Sequence, residues 1–220
     1  MTADTRQLIL DTAVRLFEEK GYAGTTMRAI ATEAGLSPSN AYYWFASKDQ
    51  LVQEFYRRIQ VAHRERSSDV LAGGGTLVER LLAVERAYLE VVAPYHGFGS
   101  AFVSTAIVPG ASANPFSDES GEARELSMAI YRDLVAGASP AVPTRLAGVL
   151  PDLLWVAHLG VTLFWTVDTS RSQERTHTLV ERSVGLLGSV VRLARLPGAS
   201  GLVDHVAGVL DVVVPDRPRS

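Results

Sequence analysis

One segment near the start, residues 25–51, constrains the fold more than any other part of the chain. It reads TTMRAIATEAGLSPSNAYYWFASKDQL, which predicts two short helices joined by a tight turn, with a third helix directly after. Thr25 or Thr26 caps the first helix, because a threonine oxygen accepts a backbone N–H of the first turn. Gly35 allows the left-handed conformation that ends a helix, and Pro38 suits the first position of the next one. The segment therefore predicts a helix-turn-helix.

The second of these helices, residues 38–45, is poor in core residues and rich in groups that contact nucleic acid. In under two turns it carries Ser39, Asn40, Tyr42, Tyr43 and Trp44. Hydroxyl, amide and indole groups are suited to base edges in a DNA groove and to the phosphates beside it. The alternative is a helical hairpin whose aromatic side chains pack on a partner. The composition of the helix favours DNA.

The longer pattern resembles the DNA-binding domain of the TetR family of transcriptional regulators. The matching residues are Thr25-Thr26, Ile30-Ala31, Ala34-Gly35-Leu36-Ser37, Tyr42-Tyr43-Trp44-Phe45 and Ser47-Lys48-Asp49-Gln50-Leu51. The preceding helix also fits, with a stripe of Ile9, Ala13, Leu16 and Phe17 that ends at Lys20-Gly21-Tyr22. The family often has Gly where Ser39 stands and Leu where Ala41 stands. Ala41 should face the core of the small domain. Because alanine is smaller than leucine, we expect either looser packing there or a contribution from Trp44 that fills the lost volume.

The residue types suggest separate roles within this helix-turn-helix. We expect base contacts from Ser39, Asn40 and Tyr43, with Arg28 reaching a guanine, because asparagine pairs with adenine and arginine with guanine in the major groove. We expect phosphate contacts from Thr26, Tyr42, Trp44 and Lys48. A helix-turn-helix that reads two half-sites needs a two-fold partner. The predicted partner is therefore double-stranded DNA with a palindromic operator.

The charge distribution limits how this surface could bind DNA. The chain of 220 residues has a net charge of −3; residues 1–66 carry +1 and the remainder carries −4. The DNA-binding part is barely basic, so phosphate contacts would come largely from helix N-termini, hydroxyls and a few cations. The chain has no cysteine, which excludes disulfides and thiolate zinc sites.

The start of the chain and its longest apolar run predict a cytoplasmic protein with no membrane span. The N-terminus, MTADTRQ, is charged where a signal peptide would enter its apolar run. The longest apolar run, Leu153 to Val167, is interrupted by His158 and two threonines, and it is shorter than the ~20 residues that a membrane span needs. We interpret it as a buried helix.

Periodicity predicts an all-α fold class. The resemblance implies a three-helix N-terminal domain and a larger C-terminal domain for ligand binding and dimerisation. The domains are 1–50 and 51–220, connected by helix 48–68. Breaks lie at 72–75, 108–121 and 197–198, which contain Gly or Pro, and at the polar segment 168–172. The predicted helices are 5–20, 26–34, 38–45, 48–68, 76–94, 98–107, 118–137, 143–168, 173–195 and 200–213.

The two long helices near the end carry features of a subunit interface. In 173–195, apolar residues recur at i, i+4, i+7, i+11 and i+14 from Val180, a stripe wide enough for a core and a partner together. The resemblance implies a homodimer that pairs these helices as a four-helix bundle. The residues expected at this interface are Gly160, Phe164, Val184, Leu187, Gly188 and Val191. The alternative is that both helices bury only against their own chain.

The region between residues 76 and 168 holds many aromatic side chains with polar tips. By resemblance it would form a cavity for a small-molecule effector that changes the spacing of the two DNA-binding heads. One helix face within it carries Trp155, His158, Thr162 and Trp165. A cavity lined by such side chains suggests an apolar or aromatic ligand. The candidate ligand contacts are Tyr95, Phe102, Tyr131, Trp155, His158, Thr162 and Trp165. The alternative is that these are core residues, with His158 hydrogen-bonded across the dimer.

Motifs for catalysis and metal binding are weak. The sequence contains no GxSxG, Walker A or HExxH motif, and its five histidines show no metal-ligand spacing. We therefore expect no catalytic residues, no metal and no cofactor. The chain is predicted to be a repressor released from its operator by a ligand. The alternatives are a DNA-binding protein without an effector and a helical-bundle enzyme or metal-binding bundle.

Overall fold

The structure, a computed structural model, describes residues 2–97, 99, 111, 114–194 and 200–214. Within those ranges every regular element is a helix, so the predicted all-α class is confirmed. The α-helices are α1 (Thr2–Gly24), α2 (Met27–Glu33), α3 (Pro38–Trp44), α4 (Lys48–Arg66), α5 (Ser68–Ala72), α6 (Leu77–Val92), α7 (Gly121–Ala136), α8 (Thr144–Ala147), α9 (Leu150–Val167), α10 (Glu174–Leu193) and α11 (Ser200–Val213). Short 3-10 helices lie at Ala93–Tyr95 and Arg171–Gln173.

The chain divides into two compact units. The first unit comprises Met1–Gln60 and Pro94–Arg124, and the second comprises Val61–Ala93 and Glu125–Ser220. The boundary between them falls inside α4, and the segment after α6 belongs with the first unit. These compact units differ in their bounds from the predicted domains 1–50 and 51–220. The division into a DNA-binding domain and a ligand-binding domain at those bounds stays a prediction.

The first unit is built around the apolar stripe of α1. Ile9, Ala13, Leu16 and Phe17 are all buried, as their spacing predicts. Ala41 of α3 has no exposed surface, so the small residue found here in place of a leucine does face the core.

A carboxylate on α4 joins α1 and α4 within the first unit. Glu54 accepts two hydrogen bonds from the guanidinium of Arg6, at 2.6 and 2.8 Å, and two more from Arg57, at 3.1 and 2.9 Å. Burial alone would raise the pKa of Glu54, but the two guanidinium groups outweigh it and lower that pKa to about 2. The charged network therefore holds α1 against α4 at neutral pH.

Two predicted long helices are interrupted in the structure. The predicted helix 48–68 ends at Arg66 and is followed by the short α5. The predicted helix 143–168 is two helices, α8 and α9, because Pro151 can occupy only the first turn of a helix. In a continuous helix its ring would clash with the carbonyl of Ala147, four residues earlier. The predicted helix 98–107 lies outside the described residues, apart from Gly99.

The helix α9 is the longest apolar element of the second unit. Among the described helices, α9 alone is long and apolar enough to cross a bilayer, judged by length and composition. However, Trp155 has no exposed surface, and the polar residues Asp152 and His158 are also buried among protein atoms. That is the environment of a core helix.

A single carboxylate organises the turn between α9 and α10. Asp168 accepts hydrogen bonds from the backbone N–H and hydroxyl of Ser170, at 3.0 and 2.7 Å, and from those of Thr176, at 2.8 and 2.7 Å. Burial would raise the pKa of Asp168, but these four bonds hold it well below its usual value. Asp168 thus supplies the cap that Gln173, the residue before α10, does not provide.

We expect Asp168→Asn to destabilise the protein by about 1–3 kcal/mol at neutral pH, because the amide nitrogen replaces one oxygen and turns a donor toward a backbone N–H and a hydroxyl that both donate in the wild type. The native pKa of Asp168 is lowered, so its contribution is complete above the ordinary value of 3.8 and is lost as the pH falls below it. Urea unfolding at neutral pH and at about pH 3 measures the difference. A difference between wild type and variant that does not shrink in acid would contradict this account.

Candidate DNA-binding surface and buried polar cluster

The turn between α2 and α3 is fixed by caps at both helix ends. The hydroxyl of Thr26 accepts the backbone N–H of Ala29 at 3.1 Å, so Thr26 rather than Thr25 is the N-cap. Gly35 has a φ of 69°. In this conformation the N–H of Leu36 reaches the carbonyl of Ala31 at 2.8 Å, and that of Gly35 reaches Thr32 at 3.1 Å. This pair of bonds is the Schellman motif that favours glycine.

The start of α3 is also fixed by a side-chain cap. Ser37 accepts the backbone N–H of Asn40 at 3.2 Å and so caps the helix, with Pro38 at its first position. Thr25 has a different task, because its buried hydroxyl lies within hydrogen-bonding distance of the carbonyls of Leu16 and Gly21 on α1. The two adjacent threonines therefore fix α2 at both its own first turn and its contact with α1.

The outer face of α3 presents the residues predicted to read bases. Ser39 and Asn40 are exposed, and Tyr43 is 80% exposed. An aromatic residue that exposed contributes little to the core, so burial does not account for its presence. Tyr42 is 52% exposed on the same short helix. Five of the eight predicted DNA contacts thus lie on α3, and four of them are exposed.

The predicted phosphate contacts are less uniformly placed. Thr26 is exposed, and its hydroxyl hydrogen is not needed for the cap. Trp44 is half-buried and lies edge-on to Tyr43, with ring centroids 5.2 Å apart. Lys48 donates a hydrogen bond to the carbonyl of Tyr22 at 2.6 Å and lies over the Tyr22 ring. Partial burial lowers the pKa of Lys48. Lys48 would have to leave this carbonyl to reach a phosphate.

Most arginines of the first unit are already paired. Arg15 binds Glu33 at 2.6 Å, Arg58 binds Asp11 at 2.5 Å, and Arg6 binds Glu54. Arg28 on α2 is exposed and has no ion-pair partner in the described part of the chain. Its charge is therefore available to an external acceptor.

The second unit contains a cluster of polar side chains inside its core, which we call the Glu85 cluster: His63, Glu85, Tyr88, Tyr131 and His158. Glu85 accepts the hydroxyl of Tyr131 at 2.7 Å on one carboxylate oxygen, and Nδ1 of His158 lies 3.1 Å from the other. The His158 ring is 4.2 Å from that of Tyr88, centroid to centroid, and is stacked with His63 at 5.9 Å. All five side chains are buried.

The protonation states in this cluster follow from its geometry. Burial would raise the pKa of Glu85, but attraction to His158 and the hydrogen bonds from His158 and Tyr131 outweigh it and lower that pKa. Burial, followed by repulsion from His158, lowers the pKa of His63 to about 4. At neutral pH Glu85 is therefore a carboxylate and His63 is an uncharged imidazole.

The structure brings only some of the predicted ligand contacts together. Tyr131 and His158 share Glu85, and the hydroxyl of Thr162 bonds to that of Tyr88 at 3.0 Å. Trp155 and Trp165 are buried in the same unit.

Tyr95 instead belongs to the first unit, where its hydroxyl accepts a hydrogen bond from Arg58 at 2.8 Å. Phe102 lies outside the described residues.

The residue that unites the cluster, Glu85, was not predicted from the sequence, nor was His63. The signal was available on α6, where Glu85 lies four residues after Leu81 and three before Tyr88 on the buried face. A charged residue inside an apolar stripe indicates a buried polar site. The sequence also allowed a hydrogen bond from His158 across the dimer. In the structure, Nδ1 of His158 already has a partner in Glu85 of its own chain.

The predicted dimer residues also divide into two groups. Val184, Gly188 and Val191 are buried against their own chain, and a Cβ on Gly188 would lie 2.6 Å from Cγ2 of Val78 on α6. Gly188 thus allows close packing of α10 on α6 within the protomer. Leu187 and Phe164 are half-buried, while Gly160 is exposed with open space above it.

The apolar surface that remains exposed on α9 and α10 lies beside the predicted positions. We call it the outer apolar face, and it consists of Leu163, Val167, Leu186, Val190 and Leu193. On α10 its members recur at i, i+4 and i+7, so they form one stripe. The predicted interface residues therefore lie partly on a stripe that the protomer itself covers, and the interface on α9 and α10 stays a prediction.

Comparisons with known proteins agree with this architecture. The family described as "Tetracyclin repressor-like, C-terminal domain" matches residues 80–208, and "Bacterial regulatory proteins, tetR family" matches residues 9–55. Together these matches cover a helix-turn-helix unit and most of the larger helical unit. The chain belongs to the TetR family of regulatory proteins.

Individual relatives are more distant. The HTH-type transcriptional repressor KstR2 of Mycobacterium tuberculosis is 32% identical over 88 residues, 40% of this chain and 44% of that protein. The chain spans less than half the length of the curated relatives it matches.

Two solved structures share the fold over most of the chain. A TetR-family regulator from Syntrophomonas wolfei covers 85% of this chain and 96% of its own, with 19% identity and a TM-score of 0.67. FadR from Bacillus subtilis, solved in complex with stearoyl-CoA, covers 81% of this chain and 96% of its own, with 15% identity and a TM-score of 0.66. At these identities the likeness establishes the fold.

Proposed function

We propose that this protein is a homodimeric, non-enzymatic transcriptional repressor that binds a palindromic DNA operator and is released from it by a small-molecule effector. It would act in the cytoplasm. The observation that carries the proposal is the exposed face of α3, where Ser39, Asn40, Tyr42 and Tyr43 point away from the core. Polar and aromatic side chains in this arrangement serve no packing purpose.

The charge of the first unit supports a binding mode that depends on a few contacts. Arg28 is the unpaired arginine nearest α3 in sequence, and Lys48 is held by Tyr22. With little positive field, affinity would depend on hydroxyl donors and direct base contacts more than on counterion release. We therefore propose that Arg28 and Asn40 contribute to sequence preference and that Thr26, Tyr42, Trp44 and Lys48 position the duplex.

The relatives support the regulatory part of the proposal. KstR2 is a transcriptional repressor, and FadR was solved with stearoyl-CoA bound. An effector must bind the DNA-incompetent state more tightly than the competent one, because equal affinity shifts no equilibrium. In this chain the buried aromatic residues of the second unit are the proposed surroundings of such an effector.

We expect Asn40→Ala to relax the preference at one base position of the operator and to cost about 1–3 kcal/mol on the preferred sequence, because a bidentate contact to adenine is lost. Lys48→Ala should weaken binding to all sequences alike and reduce the slope of log affinity against log salt by about one unit. Fluorescence anisotropy with a selected operator and with a scrambled duplex separates the two effects.

The matched control is Gln7→Ala, which removes another exposed carboxamide of the first unit, one that bonds to Asp11 on α1. Its operator preference should equal that of the wild type. If Asn40→Ala and Gln7→Ala behave alike on every duplex, α3 does not read the bases and this assignment is wrong.

A further inference from the structure

The Glu85 cluster contains one hydrogen-bond acceptor that the protein leaves unused. His63 has no exposed surface, and its Nε2 lies 3.0 Å from the carbonyl oxygen of Val84. A carbonyl can only accept, so in the neutral ring Nε2 carries the proton and Nδ1 is left with a lone pair. Nδ1 is buried and has no hydrogen-bond partner among the described residues. Buried polar atoms in native proteins are nearly always bonded, so this one indicates a partner that the described residues do not supply.

The surroundings of this nitrogen combine aromatic rings with further polar groups. The His63 ring is stacked with that of His158 at an interplanar angle of 14° and lies 5.3 Å from the ring of Tyr88. Ser67, the residue directly after α4 and four positions beyond His63, is also fully buried, and its hydroxyl oxygen has no partner in the described chain. Residues four apart share a helix face. The backbone N–H of Ser67 still bonds to the carbonyl of His63 at 3.0 Å, so the end of α4 carries two unused polar atoms one turn apart, and that of His63 lies beside aromatic rings.

The charge of the cluster selects among possible ligand groups. Both oxygens of Glu85 are occupied, one by Tyr131 and one by His158, and the carboxylate stays ionised inside the core. His158 already attracts this carboxylate, so a second buried anion would have no cation of its own in the cluster, which is costly in a low-dielectric setting. An ionised carboxylate or phosphate on the ligand has only acceptor oxygens, so it could not donate the hydrogen bond that Nδ1 of His63 needs.

We infer that the second unit binds a largely apolar, uncharged or cationic molecule that donates a hydrogen bond, from a hydroxyl or N–H group, to Nδ1 of His63. The inference rests on the proposed function, since it names the chemical class of the proposed effector. The hydrocarbon part would lie against the aromatic residues, and the donor would satisfy the buried nitrogen. His63 is thereby the residue that determines specificity for the donor.

Two matched series of compounds test this. One consists of decanol, decyl methyl ether and decanoate; the other consists of naphthol, methoxynaphthalene and naphthoate. Titration calorimetry on the full-length protein should show that, in at least one series, the hydroxyl compound binds about tenfold more tightly than its ether and its carboxylate, which is the effect of one buried hydrogen bond.

Variants at the same position tie that preference to His63. His63→Phe keeps a flat ring but removes the acceptor, so the hydroxyl compound should bind no better than the ether. His63→Gln retains a donor for Val84 and restores an acceptor, so part of the preference should return. His177→Phe, at an exposed position on α10, is the control and should bind like the wild type.

The inference is overturned if no compound binds, which would leave only ordered water at Nδ1, or if the carboxylates bind as tightly as the hydroxyl compounds. It is also overturned if the preference persists in His63→Phe. The same preparation is tested for operator binding without any compound. Specific DNA binding without donor selectivity would remove this inference alone, whereas donor selectivity without specific DNA binding would remove the proposed function.

Discussion

Replacement of Arg80 by methionine is expected to destabilise the second unit by about 3–5 kcal/mol, a large part of the stability of a typical domain. Arg80 on α6 is 1% exposed. Its guanidinium donates to carbonyl oxygens at the C-terminal ends of two helices: Val70, Leu71 and Gly73 at the end of α5, and Asp133 and Leu134 near the end of α7. Methionine fills similar space but leaves these buried acceptors unpaired, and the favourable interaction of a cation with two helix C-termini is lost.

The measurement is urea unfolding followed by circular dichroism, with thermal unfolding as a second readout; the midpoint temperature should fall by about 10 °C. The control is Arg86→Met on the same helix, where the side chain is half-exposed and paired with Glu181 at 2.7 Å. It should cost less than about 1 kcal/mol, as surface ion pairs do. Equal losses in the two variants would show that the carbonyl contacts of Arg80 do not carry the stability assigned to them.

Leu186→Glu is expected to convert the dimer to monomers at micromolar concentration and to abolish tight operator binding with it. Leu186 is 68% exposed and lies on the outer apolar face of α10 with Val190 and Leu193. In a two-fold interface each substitution occurs twice, and burying two unpaired carboxylates costs several kcal/mol. One DNA-binding head alone makes only half of the operator contacts.

Sedimentation analysis and operator anisotropy, performed on the same samples, measure both effects. Leu8→Glu is the matched control, because Leu8 is an exposed leucine of α1 in the first unit, at 46% exposure. It should leave the oligomeric state unchanged. If Leu186→Glu remains dimeric, the outer apolar face is not the interface. If wild type is itself monomeric at micromolar concentration, the proposed dimer is wrong altogether.

The local structure of the helix-turn-helix could be predicted because it depends on residues close in sequence. Caps at Thr26 and Ser37 and the left-handed turn at Gly35 each act within four residues. The burial of Ala41 also followed from helix periodicity. The sequence left open which of the two threonines caps α2. The structure decides between them, because the Thr25 hydroxyl bonds to carbonyl oxygens of α1 instead.

The second unit was less predictable because its important contacts join residues far apart in the chain. Glu85 and His158 are 73 positions apart, and Arg80 and Leu134 are 54 apart. Periodicity identifies a buried helix face but does not say which faces meet, so Gly188 was assigned to a partner although it packs on Val78. Charged residues on the buried face of α6 were the signal that the sequence did contain.

Selection from a random library of duplexes measures whether this protein recognises DNA as a two-fold dimer. We expect enrichment of a palindrome whose two half-sites are centred one helical turn apart, roughly 34–36 Å, or a multiple of that distance. The enriched duplex should bind the wild type far better than it binds Asn40→Ala. Recovery of duplexes with no shared sequence, or of a single unpaired half-site, would contradict the account.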